Sequence, residues 1–474
     1  MINNWINGKP CPADSGQTFD TIDPWTHVAH DTVALSGRSD VERAIDAARL
    51  AFDDGPWPHM GFAERGVILH RLADLIEANA GELATADSRD MGKPMSAMLS
   101  KDVPRAAQNF RFFADHARMA ASEVYPTDTG HHAYARFEAA GVVAAIAPWN
   151  FPLMLESWKI APALAWGNTV VLKPAEDTPG SATIMARLAT AAGMPDGVLN
   201  VVHGFGPDSA GEFLTSSDRI DRLTFTGEST TGRIIAAAGA DKLVPVSLEL
   251  GGKGANIVFA DADLDEAVKW SNTAIFTNSG QVCLAGSRLF VQRTIFDEFV
   301  ERFVASAEGL SVGSPADEGT DIGPLASKEH FTKVAGFFAD LPDEAVVHCG
   351  GVSDDGAWVV KPTVITGVDA DARVCREEVF GPVVTIQPFD TEEEAVAMAN
   401  GTKYGLNAML FTENLRRAHR VAGDLRAGTV WVNCFFVRDL RAPFGGVGWS
   451  GVGREGGNFS REFFTEPKAV VIHP

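Results

Sequence analysis

A thiol in a glycine-flanked loop and a carboxylate on a glycine turn supply two things that covalent aldehyde chemistry needs, a soft nucleophile and a base to activate water. Cys283 lies in Phe276-Thr-Asn-Ser-Gly-Gln-Val-Cys-Leu-Ala-Gly-Ser-Arg288, downstream of Leu248-Glu-Leu-Gly-Gly-Lys253, which carries Glu249. Taken singly, each has a plainer reading. A lone cysteine is more often a small buried hydrophobe, and a glutamate before two glycines caps the next element about as often as it reacts. Gly280, Gln281 and Gly286 favour an accessible loop around Cys283, a setting that Cys11, Cys349, Cys375 and Cys434 lack. The pair points to an oxidising enzyme.

Pro148-Trp-Asn-Phe-Pro152 holds Asn150 between two prolines that stiffen the backbone. An amide N–H fixed there suits an oxyanion forming on a thiohemiacetal, worth about 2.7 to 4 kcal/mol; standing alone, the motif reads as an Asx turn. Lys173 and Glu176, in Lys173-Pro-Ala-Glu176, follow a strand and could set a cation and a carboxylate on a ribose. A carboxylate there repels a 2′-phosphate by about 1 to 4 kcal/mol, which favours NAD over NADP, while an exposed Lys/Glu pair is the plainer alternative. Phe225-Thr-Gly-Glu-Ser-Thr-Thr-Gly-Arg233 links a strand to a helix whose N-terminus can hold an anion. It is not the GxGxxG fingerprint, and Gly204-Phe-Gly206 is a weaker signal still.

These groups need elements to hold them. From about residue 40 to 119, Val41, Ile45, Ala48 and Phe52, then Val67, Leu69, Leu72, Leu75 and Ile76, recur at helical spacing, which predicts amphipathic helices. Beyond them, short β-branched runs at 141–146, 169–172, 198–202, 222–226, 244–248 and 255–259 alternate with helical stretches at 155–166, 182–192 and 231–238. Alternation of this kind predicts an α/β fold with a doubly wound parallel sheet, and places ligands beyond the carboxyl ends of its strands. A second α/β unit is expected after the Glu249 turn, with strands at 288–292 and 429–433 and a long helix at 295–310.

Composition excludes several classes. Of 474 residues, 45% are hydrophobic and 22% charged, so a globular chain of two or three domains is expected. With 62 acidic against 40 basic residues, the net charge of −22 repels polyanions, and no Lys/Arg cluster offers a nucleic-acid footprint. The cysteines are odd in number and contain no CxxC pair, so neither a disulfide framework nor a metal site is expected. The start lacks a basic and apolar leader, and the most apolar stretch, 139–155, is broken by Pro148, Asn150 and Pro152; a cytoplasmic protein with no membrane partner is expected.

The motifs in combination resemble the NAD(P)-dependent aldehyde dehydrogenase superfamily over the whole chain. The resemblance rests on PWNFP (148–152), KPAE (173–176), FTGESTTG (225–232), LELGGK (248–253), FTNSGQVCLAGSR (276–288), EEVFGP (377–382) and PFGG (443–446), all in the family's order. It implies the aldehyde dehydrogenase fold: an NAD-binding domain from 1–120 and 140–251, an α/β catalytic domain at 252–440, and a small β oligomerisation flap from 121–139 and 455–474, in a homodimer or homotetramer. Cys283 becomes the nucleophile, Glu249 the general base and Asn150 the oxyanion donor beside the Cys283 backbone N–H. Lys173 and Glu176 go to the adenosine ribose, Glu378 to the nicotinamide ribose, and Phe380 packs near the nicotinamide. Ile146, Pro148, Trp149, Gly206, Gly227, Glu228, Leu250 and Gly251 complete the cofactor surface. Relatives that acylate coenzyme A lack a base like Glu249, so hydrolysis is implied.

Two positions depart from the pattern. Glu228 stands where many members carry a serine near the pyrophosphate, and an anion there repels phosphate unless it turns away. Gly448-Trp449 replaces a lysine-containing stretch. The substrate clue is Cys434-Phe-Phe-Val-Arg-Asp-Leu-Arg-Ala-Pro-Phe444, which resembles the muconic semialdehyde dehydrogenases (2-hydroxymuconate, 2-aminomuconate and 5-carboxymethyl-2-hydroxymuconate types) of aromatic catabolism. Their substrates carry a carboxylate remote from the aldehyde. Arg438 and Arg105 would form its clamp, two charge-assisted contacts of about 1.5 to 3 kcal/mol each. In the plainer reading Arg438 pairs with Asp439 or another acid and Arg105 is solvated. The enzymatic alternative is a broad aldehyde dehydrogenase with Phe151, Trp158, Phe435, Phe436 and Phe444 as an apolar tunnel. A non-catalytic protein on the same scaffold ranks lower, because Cys283 and Glu249 are both present.

Overall fold

A computed structural model describes residues 1–353 and 356–473. Its first sheet has the order Gly451–Val452, Val246–Glu249, Arg222–Thr226, Val142–Ile146, Thr169–Lys173, Leu199–Val201, Asn4–Ile6, Lys9–Cys11. The five inner strands are parallel and the edges antiparallel. Val142–Ile146 and Thr169–Lys173 are buried at every residue, as parallel strands covered by helices on both faces must be. Helices Arg38–Asp53, Pro152–Ala165 and Gly180–Ala191 supply that cover.

The second sheet runs Val346–Val352, Val360–Thr366, Val383–Phe389, Arg288–Gln292, Ala255–Val258, Asn407–Phe411, Thr429–Val432, parallel throughout except for its first strand. Helices Leu264–Phe276 and Phe296–Glu308 cover it, burying Phe276, Phe299 and Phe303. A third sheet joins Thr465–Ile472, His132–Ala139 and Val124–Tyr125. No helix among the described residues is long and apolar enough to cross a membrane.

Several boundaries differ from the sequence expectation for physical reasons. The strand expected at 244–248 begins at Val246, because Pro245 has no N–H for the ladder, and it runs on through Glu249, which pairs with Thr226 and Gly451. The helix expected from 155 starts at Pro152, whose fixed φ suits a first helical position. Its residues are buried nearly all round, so periodicity could not mark its start. Val67, counted with the apolar face, is 50% exposed on the opposite side of Phe62–Ala78. The hairpin Asn4–Ile6/Lys9–Cys11 went unread although Asn7-Gly8, both at positive φ, is a two-residue turn signal.

Candidate functional site

The first sheet reverses its order between Val142–Ile146 and Arg222–Thr226, and ligands of such sheets sit beyond the carboxyl ends at that point. Residues 147–150 and 227–229 leave from there, and the neighbouring strand ends in Glu249. Only residues 250–254 separate this end from Ala255–Val258 of the second sheet, so the two sheets meet end to end. Cys283 departs from the carboxyl-end expectation: its loop precedes Arg288–Gln292, at the amino end of a strand in the second sheet. The junction brings Glu249 and Cys283 together.

The nucleophile loop is held by its own polar groups. Asn278 and Ser279 both take φ of 54°, a left-handed pair that side chains must hold in place. The Asn278 amide donates to Asn150 O at 2.8 Å, and Ser279 Oγ donates to Gly323 O at 3.0 Å. Gln281 Oε1 accepts from Ala326 N at 2.9 Å. The Asn150 amide donates to Gln281 O at 2.9 Å, which fixes its plane and leaves a second N–H for another acceptor. A Cβ at Gly252 would collide with the Cys283 carbonyl, so this glycine sets how closely the base-bearing turn approaches the nucleophile loop. Burial, and then the Glu378 and Glu249 carboxylates, push the Cys283 thiol up to about 12, with Arg438 opposing them.

Glu249 is buried, and neither carboxylate oxygen has a hydrogen-bond partner among the described residues. Burial first, then the charge of Glu455, raise its pKa well above the ordinary carboxylate range, while Lys159 and Arg438 pull the other way. Glu455 accepts from Trp158 Nε1 at 2.6 Å and from Lys159 Nζ at 3.2 Å, and Lys159 also reaches Thr224 Oγ1 at 3.0 Å. Lys159 and Glu455 were missed in the sequence. Lys159 stands in a helix buried nearly all round, where a lysine must find a buried acid, and that was the signal available.

At the expected cofactor surface, Lys173 Nζ reaches Pro174 O and Glu176 Oε2, both at 3.0 Å. Glu378 Oε1 accepts from Gly252 N at 2.8 Å, and a Cβ on Gly251 would collide with the same carboxylate. Burial lifts this carboxyl to about 7. The rings of Trp149 and Phe380 meet edge to face at 5.3 Å. Glu228 is exposed and pairs with Lys333 at 3.5 Å, so its charge is met by a cation. Trp449, the other departure, lies under Lys403 Nζ at 4.1 Å and near Arg233, and its carbonyl accepts from Ser229 Oγ. Ile146 and Leu250 are buried beneath this surface, Pro148 and Gly227 are half-buried, and the space a Cβ would take at Gly206 is open. Among the described residues no cluster could hold a metal. A lysine and two carboxylates, with Gly227 before the helix Ser229–Asp241, form a polar set that fits a dinucleotide's ribose hydroxyls and pyrophosphate.

On the far side of Cys283, Arg438 is packed between two rings, its Cζ 4.4 Å from the Trp158 centroid and 3.8 Å from Phe444. Its Nη2 is buried with no acceptor among the described residues. Asp439 does not pair with Arg438; it is held by Arg441 at 2.6 Å. Arg105 lies 6.0 Å from the same indole, and its Nε donates to Asn109 Oδ1 at 3.1 Å. The two guanidiniums are near enough for Arg105 to help burial bring Arg438 down to about 10, which leaves it a cation at neutral pH. Phe151 is buried under the Lys93 ammonium, whose partner is Asp102. Phe435 is buried and Phe436 exposed.

Known proteins share this architecture. Residues 11–470 match the description of the aldehyde dehydrogenase family. A 2-hydroxymuconic semialdehyde dehydrogenase of Pseudomonas sp. (strain CF600) is 49% identical, with 99% of each chain covered. A 2-aminomuconic 6-semialdehyde dehydrogenase of Pseudomonas sp. is 45% identical over 100% of this chain and 98% of its own. Among solved structures, the P. syringae indole-3-acetaldehyde dehydrogenase in complex with NAD+ aligns with a TM-score of 0.98 at 39% identity, covering 100% of this chain and 97% of that one.

Proposed function

Because the chain belongs to the aldehyde dehydrogenase family and is thereby an NAD-dependent enzyme that oxidises aldehydes, we propose that its substrate is a semialdehyde bearing a remote carboxylate, of the muconic type. The observation that carries the reading is the guanidinium of Arg438, packed between Trp158 and Phe444 with Nη2 buried and lacking an acceptor among the described residues. A buried cation left without an acid is costly unless something anionic arrives. Arg105 nearby supplies the second arm, and the names of the muconic semialdehyde relatives agree with this chemistry.

In the proposed reaction the Cys283 thiol gives its proton to solvent and Sγ adds to the aldehyde carbon, while Glu249, whose raised proton affinity suits a base, is kept for the water step. The free Asn150 N–H and the Cys283 backbone N–H receive the oxyanion. Lys173, Glu176 and Glu378 would hold NAD, which would supply the two-electron acceptor needed to oxidise the adduct to a thioester on Cys283. Glu249 then takes a proton from water, which attacks the thioester and releases the acid and the thiol. The buried Lys159–Glu455 pair keeps a compensated charge behind Glu249, so its proton can be held and released without exposing the site.

Trp158, Phe444 and Phe151 together also favour a second reading, a broad enzyme for neutral or aromatic aldehydes. Steady-state NADH formation with Arg105→Ala and Arg438→Ala separates the two. The first reading expects kcat/KM for an acid semialdehyde to fall about 10²-fold or more, and unchanged values would leave the second. We further propose assembly as a homodimer or homotetramer through the sheet of Thr465–Ile472, His132–Ala139 and Val124–Tyr125, whose Val124, Val471 and Ile472 are exposed.

A further inference from the structure

His330 is assigned no part in the reading above. It is buried near the site, in the first turn of Lys328–Ala339. Its Nε2 lies 2.7 Å from Phe380 O, and as a carbonyl can only accept, the imidazole donates. Phe380 takes φ of 59°, a left-handed conformation that a bulky residue keeps only where its surroundings impose it. The His330 ring also packs on Trp149 at 4.9 Å and on the Phe380 ring at 5.8 Å.

The backbone after Phe380 is the surface on which the nucleophile loop rests. A Cβ at Gly280 would collide with Gly381 and Pro382. The start of the His330 helix is tied to the same loop, since Ala326 N donates to Gln281 Oε1 at 2.9 Å and Ser327 Oγ accepts from His330 N at 3.2 Å. The contacts therefore close a circuit from Gln281 through Ala326 and His330 to Phe380, and from Gly381 back to Gly280. The His330–Phe380 bond is the one link made by a single side chain to a strained residue. Glu378, two residues earlier, shares the same segment.

We infer that His330 is a positioning residue, which pins the left-handed Phe380 carbonyl and so sets the cofactor-facing segment 378–382 against the Cys283 loop. The inference rests on the proposed roles of Cys283, Glu378 and Phe380. Burial lowers the imidazole to about 4, so it stays neutral, with one N–H to give, across the working range of pH.

The test compares His330→Ala, which removes the donor, with His330→Gln, whose amide can donate to the same carbonyl. Three quantities are read: the rate of Cys283 alkylation by iodoacetamide in NAD-free protein, NAD affinity from tryptophan fluorescence quenching, and KM for NAD against kcat. We expect His330→Ala to change the alkylation rate and to lower kcat/KM for NAD about tenfold or more, the size that a small misplacement produces. His330→Gln should recover most of both. If the alanine variant does not fold, His330→Asn, whose amide is shorter, gives the same comparison. A folded alanine or asparagine variant with wild-type alkylation and NAD affinity overturns the inference. Loss that glutamine fails to recover also overturns it, because the donor is then not the cause. A wild-type enzyme that stays active with Cys283 fully alkylated would instead overturn the reading of Cys283.

Discussion

The Arg438 guanidinium lies against Trp158, 4.4 Å from ring centroid to Cζ, while the same indole donates through Nε1 to Glu455 at 2.6 Å. One tryptophan thus holds a cation on its face and an anion at its edge. Glu455 accepts from the indole N–H and is itself balanced by Lys159, so among the described residues Arg438 has aromatic contacts and no ion-pair partner. A substrate carboxylate entering this corner meets a guanidinium that has already lost much of its water.

Arg438→Met keeps the bulk and removes the charge. It should raise KM for an acid semialdehyde by about 10- to 100-fold, the value of one charge-assisted contact, and leave a neutral aldehyde within a factor of a few. Arg438→Lys should not restore the loss, because an ammonium cannot lie flat between Trp158 and Phe444 and present a two-pronged face. Substrate kinetics on the three proteins check both statements.

Glu249→Gln leaves thiol addition and the first oxidation possible but removes the base for water. Rapid mixing should show an initial burst of NADH near one equivalent per active site, followed by a steady state slowed about 10²- to 10⁴-fold. Equal slowing of burst and steady state would place Glu249 elsewhere in the sequence of steps.

Asn150→Ala removes an N–H whose direction is fixed by the bond to Gln281 O. The burst itself should slow by about 10²- to 10³-fold, with NAD affinity unaltered.

The Cys283 thiol, raised to about 12, is protonated in the resting site, so thiolate is scarce at neutral pH. Its alkylation by iodoacetamide should keep accelerating through pH 10 with no plateau near 8.5, the ordinary thiol value. Because Arg438 is the charge that lowers this pKa, Arg438→Met should slow alkylation at any fixed pH. A plateau below pH 9 in the wild type would contradict this account.

Glu156 is fully buried, and neither of its oxygens has a hydrogen-bond partner among the described residues. Burial, then the charges of Asp87 and Asp90, raise its pKa well above its ordinary 4.5. The folded protein therefore keeps a proton that the unfolded chain releases. Stability from this group is fully present below about pH 4.5 and is lost as pH rises toward the folded value. Glu156→Gln cannot ionise, so it should be more stable than wild type at pH 8, by about 1 to 3 kcal/mol, and nearly equal at pH 4.5. Chemical denaturation at the two pH values measures the difference.

The candidate site residues were more legible in the sequence than the groups packed around them. Cys283, Glu249 and Asn150 stand in motifs whose glycines and prolines answer to backbone constraints, such as the collision a Cβ at Gly252 would make, and such constraints leave a local mark. The parallel strands were legible because both their faces are buried, which forces β-branched runs at 142–146 and 169–173. Lys159, Glu455 and His330 were not, because each acts on a group far away in the chain: Glu455 is 296 residues from Lys159, and His330 is 50 from Phe380. Arg438 was legible as a charge, but its partner was not. Only the structure gives Asp439 to Arg441 and leaves Arg438 between two rings.

The most direct test is the ratio of kcat/KM for 2-hydroxymuconate semialdehyde to that for a neutral unsaturated aldehyde of equal length, measured by NADH formation in wild type and in Arg438→Met. The account predicts a wild-type ratio of about 10² or more that collapses toward unity in the variant. A wild-type ratio near one, or a high ratio that survives the loss of Arg438, would contradict it.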